Sequence, residues 1–172
     1  MGFPSGPYAC DGLLFQANRL VLPWIASRIE GMAGQILADP QFPASSIGVL
    51  AREPGGHVRI VGGVAYSFWD DHPEGGDCQI TLAFDPGARI TRTMWRHLYG
   101  HAFITMRCRR ISIQTRKNNR AARRHAERSG WRLEGVKREG DGRHDLVLYG
   151  LLRRDMRDGL PPIKTKGSVR HG

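Results

Sequence analysis

The hydrophobic period of this sequence changes at Gly87. Before it, residues 47–51, 58–69 and 78–84 are apolar runs rich in β-branched and aromatic residues. Two turn-forming stretches separate them, Glu53-Pro54-Gly55-Gly56 and the acidic Asp70-Asp71-His72-Pro73-Glu74-Gly75-Gly76. Short β-rich runs bounded by such clusters read as strands, so residues 47–84 are expected to form an antiparallel meander. Gly62-Gly63 inside the second run implies a bulge or a close backbone approach. After Gly87, Ile90, Met94, Leu98, Ala102 and Met106 recur every fourth residue, which predicts a helix over 90–106 with one apolar face.

The alternation resumes at residues 110–115, and Asn118-Asn119 breaks it. A short, strongly basic helix is expected over 120–128, stopped by Ser129-Gly130. Residues 131–137 and 145–152 then read as two strands around the turn 139–142. Upstream of residue 45 the stripe Leu20, Val21, Trp24, Ile25 and Ile29 is helical, and Asp39-Pro40 with Pro43 closes it. The expected division is a helical part over 1–44, a core over 45–155 and a flexible tail over 156–172. Strand runs that give way to a strand-loop-helix unit point to an α+β fold with a mixed sheet.

The chain is 172 residues long and 40% hydrophobic, enough for one domain with a sizeable core. Every apolar stretch is too short or too interrupted to span a bilayer, so no membrane association is expected. The first residues lack the basic and apolar regions of a signal peptide. The three cysteines form no C-x-x-C pair and are read as reduced thiols, in keeping with a cytoplasmic protein. His97, His101 and His125 are too scattered for a metal site, and none is assigned.

The net charge of +10 is unevenly placed. Residues 1–87 carry four Arg against nine acids, whereas residues 88–138 carry fifteen Lys and Arg against Glu127 and Glu134 alone. Such a segment suits a nucleic acid or a small polyanion, or is simply a solvated basic face. The strand-loop-helix unit suits a phosphate, because a helix N-terminus presents unpaired N–H groups, but many helices start this way and the unit alone leaves all three readings open. Arg89 and Arg92 add charge there.

The run from Arg110 through Asn119, followed by Ala122 and then by Glu127-Arg128-Ser129-Gly130-Trp131-Arg132-Leu133-Glu134-Gly135-Val136-Lys137-Arg138, resembles the second half of the GNAT acetyltransferase superfamily. It is most similar to the branch of the ribosomal-protein N-terminal acetyltransferases and their phage-encoded relatives. The resemblance covers roughly residues 45–155. It implies a central, mostly antiparallel sheet of about six to seven strands, a parallel pair at the cofactor cleft and helices on both faces. It also implies an acetyl-CoA-dependent N-acetyltransferase, active as monomer or homodimer, in which an amine of a protein or small molecule attacks the thioester directly. The matching cofactor-binding positions are Leu82, Phe84, Gly87, Ala88, Arg89, Ile90, Thr91, Arg92, Asn119, Ala122 and Arg123.

The sequence also departs from that family. Of the three small-residue positions of its pyrophosphate loop, Gly87 is kept, while Arg89 and Thr91 replace the other two. Ala126 stands where many members carry a Tyr acid, and Ala122 stands where the branch carries a Ser. Direct transfer needs a base for the ammonium proton. The candidates are Asp70, Asp71, His72, Glu74 and Asp77, with Tyr149 as a candidate acid or substrate contact. The alternative function is a GNAT-like module without catalysis that contacts nucleic acid through residues 88–138. Trp24, Trp95, Phe103 and Trp131 are read as core.

Overall fold

A computed structural model describes residues 8–162 apart from Asp71. In chain order the elements are β1 (Tyr8–Leu14), α1 (Asn18–Ala26), α2 (Met32–Ala38), β2 (Ser45–Arg52), β3 (Val58–Ser67), β4 (Asp77–Phe84), β5 (Ala88–Arg89), α3 (Arg92–Gly100), β6 (Arg110–Arg116), α4 (Arg120–Arg128), β7 (Arg132–Lys137) and β8 (Leu146–Leu152). One sheet of eight strands results, in the order β5-β1-β2-β3-β4-β6-β8-β7. β2, β3 and β4 form the expected meander. β4 and β6 run parallel, and β6, β8 and β7 continue antiparallel.

Helices cover both faces because alternate strand residues supply two cores. Ala65 and Ala83 pack with Val21, Ile25 and Leu37 of α1 and α2. Val64, Tyr66 and Ile80 pack on the other face with Leu98, Tyr99 and Phe103, and Ala126 of α4 joins them. The glycine pair of β3 lets large neighbours sit on the sheet. A Cβ on Gly62 would lie 2.2 Å from the Phe84 ring, and one on Gly63 would lie 2.9 Å from Ile25. Next to them the β2–β3 register slips between Val49 and Leu50, so both the close approach and an irregularity are present.

Three features depart from the sequence reading. The N-terminal part is not wholly helical, since Tyr8–Leu14 pairs with β2 as a strand. Its register shifts between Cys10 and Gly12, which breaks the alternation that would mark a strand. The expected helix over 90–106 is α3 followed by a π-helical turn, His101–Thr105. The wider turn leaves Phe103 buried and Ile104 exposed. Residues 156–162 fold back on the domain: Leu160 joins the main core, Arg96 Nε donates to Asp158 O at 2.9 Å, and Pro162 O lies 2.5 Å from where a Cβ on Gly130 would be. The remainder of the expected tail, 163–172, lies outside the described residues. Among the described residues no helix is long and apolar enough to cross a membrane.

Candidate functional site

β4 and β6 pair over only three positions, Asp77 with Arg110, Cys78 with Ile111 and Gln79 with Ser112. Beyond them the strands diverge, while β4 stays paired with β3 as far as Phe84. The direction of the freed backbone groups follows from strand alternation. Asp85 N–H donates to Val61 O at 2.8 Å and Asp77 O accepts from Asp70 N–H at 2.9 Å, so odd-numbered residues of β4 turn their peptide groups toward β3. The pairing of Gln79 with Ser112 takes the Ile80 N–H, so the Ile80 carbonyl and the peptide groups of Leu82 and Phe84 face the gap. Unpaired N–H and C=O groups along such an edge are a template for an extended, amide-bearing ligand.

α3 and α4 follow these two parallel strands, so both helix N-termini lie at the open end of the gap. The helices meet beside it, with the Trp95 and His125 rings 5.7 Å apart and Phe84 edge-on to Trp95 at 5.8 Å. Thr91 caps α3, its Oγ1 accepting from Met94 N–H at 3.2 Å and its carbonyl from Trp95 N–H at 3.0 Å. This leaves the Arg92 and Thr93 N–H groups without an intrahelical acceptor. α4 offers less. Asn119 Oδ1 caps it by accepting from Ala122 N–H at 3.1 Å, and the carbonyls of Asn118 and Asn119 take the Arg120 and Arg123 N–H groups.

The loop between β4 and α3 is fixed at its root by Asp85, a buried carboxylate that sequence reasoning did not single out. It accepts from Arg28 Nε at 2.9 Å and Arg59 Nη1 at 2.6 Å. Gly87 has a φ of +84°, a backbone conformation that favours glycine. Ala88 and Arg89 then pair with Tyr8 and Ala9 as a parallel edge. The Arg89 N–H is directed to the buried Cys10 thiol, whose pKa burial raises. Residues 88–89 pair with β1, and donors near the gap include, among the described residues, the Arg92 and Thr93 N–H groups and the exposed guanidiniums of Arg89 and Arg92.

The other sequence-predicted residues fall into separate places. Leu82, Phe84 and residues 87–92 lie on one side of the open end, with Asn119, Ala122 and Arg123 on the other. Arg123 Nη1 donates to Lys117 O at 3.1 Å and its Nε lies 3.5 Å from Tyr149 Oη. Tyr149 is buried beneath α4 and donates to Glu127 Oε1 at 2.9 Å. Asp77, His72 and Glu74 lie at the opposite, closed end. His72 Nδ1 accepts from Glu74 N–H at 3.2 Å, and both side chains are exposed.

Asp77 is the partly buried carboxylate of that set. It pairs with Arg110, which also holds Glu134 of β7. Burial raises the Asp77 pKa, and the Arg110 charge only partly offsets it. Its Oδ1 is buried without a hydrogen-bond partner. Arg110 was noted in the sequence as the start of a strand and of the resembling run, and not as a partner of Asp77; the strand alternation that places it on the Asp77 face was the available signal.

No protein-family model matches the sequence, and no curated protein matches it. Solved structures do match. The spermidine/spermine N-acetyltransferase SpeG from Vibrio cholerae, solved with manganese ions, superposes with a TM-score of 0.59 at 12% identity, over 84% of this chain and 93% of that one. The ribosomal-protein-S5-alanine acetyltransferase from Vibrio fischeri gives a TM-score of 0.59 at 14% identity, over 84% and 94%. The mixed sheet with helices on both faces is therefore the fold of these two acetyltransferases.

Proposed function

We propose that the protein is an acetyl-CoA-dependent N-acetyltransferase that transfers the acetyl group directly to an amine. The observation that carries this reading is the opening between β4 and β6, where the peptide groups of Leu82 and Phe84 face a gap with the α3 N-terminus at its mouth. That arrangement fits the two halves of the cofactor. An extended arm with amide groups matches the strand edge, and a diphosphate matches the Arg92 and Thr93 N–H groups with Arg89 and Arg92. Both solved neighbours named above are acetyltransferases. When bound, acetyl-CoA supplies the activated acyl thioester.

The chain's own residues would then divide the work. The N–H groups of the β4 edge stabilise the oxyanion that forms when the amine attacks. Asp77, about 16 Å from Leu82 along the strand at ~3.3 Å per residue, is the group proposed to accept the ammonium proton through a chain of waters. Arg110 orients Asp77. Tyr149, committed to Glu127, is assigned a packing role. Titration calorimetry with CoA, followed by an acetyl-transfer assay over a panel of amines, tests the proposal. Saturable CoA binding weakened by charge removal at Arg92 is expected; no heat at millimolar CoA overturns it.

A further inference from the structure

β4 sends alternate side chains to opposite faces of the sheet. Cys78 and Ile80 join the core under α3, whereas Ala83 joins the core under α1 and α2. Asp77, Gln79 and Thr81 therefore share the Ala83 face. Arg110, Ser112 and Gln114 of β6 share it too, since Ile111 and Ile113 between them lie in the α3 core. The α3 side of the gap is filled by apolar side chains, with Leu82 and Phe84 packed on the core that holds Leu98 and Tyr99. The polar face, where Gln79 and Thr81 are half-buried and Gln114 is exposed, is thus the side from which an amine reaches the gap.

Gln79 is the last residue of β4 that pairs with β6, and the next register position, Thr81 opposite Gln114, is open. The Gln114 side chain leans back across this opening, and its Nε2 donates to Gln79 Oε1 at 2.8 Å. A carboxamide carries two N–H donors and an oxygen with two lone pairs. Among the described residues neither carboxamide has a further hydrogen bond, so both N–H donors of Gln79 and the oxygen of Gln114 are available to water. Along the strand, Gln79 is midway between Asp77 and Thr81, about 7 Å from each at two steps of ~3.3 Å, a span that bridging waters close.

We propose that Gln79, oriented by Gln114, is the positioning residue for proton removal, its carboxamide holding the waters that link the acceptor amine to Asp77. The proposal rests on the acetyl-transfer reading above. The ammonium proton passes to the nearest water, each water hands one proton on, and the last protonates the Asp77 carboxylate. The lone pair freed on nitrogen then attacks the acyl carbon. The carboxamides only donate and accept hydrogen bonds, so their protonation does not change. The charged and titratable groups facing Asp77 are Arg110 of β6, Glu134 of β7 and the Cys78 and Cys108 thiols, none of which a change at Gln79 removes.

A water path matters only for an acceptor that arrives protonated. The test therefore compares ethylamine, which is an ammonium ion at pH 7, with 2,2,2-trifluoroethylamine, which is largely neutral there, in the wild type, Gln79→Leu and Gln114→Leu. CoA affinity of each protein is measured by calorimetry. Gln79→Leu is expected to lower kcat for ethylamine about ten-fold with KM little changed, and to leave kcat for trifluoroethylamine within two-fold. The ethylamine loss should shrink as pH rises toward the amine's own pKa. Gln114→Leu, which leaves β4 intact, should give the same selectivity with about a three-fold loss. Equal losses for both amines, or no loss for ethylamine, overturn the role of Gln79 while CoA binding and acetyl transfer stand. Absence of CoA binding, or of transfer to any amine, overturns the acetyl-transfer reading and this proposal with it.

Discussion

The carboxylate of Glu134 lies across Gly150 to reach Arg110: a Cβ on Gly150 would stand 2.0 Å from Glu134 Oε1. Gly150 sits on β8 between the strands that carry the two partners, so it is the absence of a side chain there that allows the ion pair. Gly150→Ala should displace the end of the flexible Glu134 side chain and break its bond to Arg110, at about 1 kcal/mol. Urea unfolding of Gly150→Ala, Glu134→Gln and the double variant checks this. The two changes should be strongly non-additive, because each removes the same contact.

The raised pKa of Asp77 has a definite sign in both rate and stability. A carboxyl whose folded pKa exceeds its unfolded value contributes stability that is complete below pH ~3.8 and is lost as pH rises through the folded value. Wild-type stability measured against Asp77→Asn should therefore fall as pH rises above ~3.8. As the proposed base, Asp77 must be ionised, so the acid limb of kcat/KM should lie above pH ~3.8. Asp77→Asn should lower kcat by about a hundred-fold, read from pH profiles of acetyl transfer.

Proline at the first position of α3 separates backbone from side-chain contributions to anion binding. Thr91 has φ −72° and ψ 159°, the extended conformation that a following proline requires. Position 92 has no intrahelical hydrogen bond to lose. Arg92→Ala should weaken CoA binding about five-fold, and Arg92→Pro should weaken it further by a similar factor with an unchanged melting temperature. Calorimetry alongside thermal unfolding provides the comparison.

Asp85 should matter to stability more than to chemistry. Asp85→Ala removes the carboxylate that Arg28 and Arg59 share at the root of the β4–α3 loop, leaving Arg59 with Glu53. A loss of about 2 kcal/mol is expected, because the substitution removes the charge-assisted hydrogen bonds of Arg28 and Arg59 to a buried carboxylate. Denaturant unfolding gives the magnitude, and a parallel loss of CoA affinity would show that the loop moves with its anchor.

The strands from β2 to β4, the basic helix α4 and the closing strands β7 and β8 were legible in the sequence because each is a local pattern. A period of two bounded by turn residues, or a helix bounded by Asn119 and Gly130, needs no distant partner to be recognised. β1 was hidden because its irregular step between Cys10 and Gly12 breaks the alternation, and only pairing with β2 makes Tyr8–Leu14 a strand. The fold of residues 156–162 was hidden for a related reason. One apolar residue, Leu160, docks into a core assembled from distant segments, which leaves no periodic trace.

By itself, the sequence determined most of the order of elements after residue 45, the α+β class and the concentration of positive charge after residue 88, since these follow from residue spacing and composition. Which peptide groups face the gap, which N–H groups at its mouth are already taken, and which arginines are left without a carboxylate were decided by tertiary structure alone. Each depends on partners far apart in the chain, as when Arg28 and Arg59 converge on Asp85 or Asp77 and Glu134 converge on Arg110. A charge becomes a site only when folding has settled which of its neighbours neutralise it.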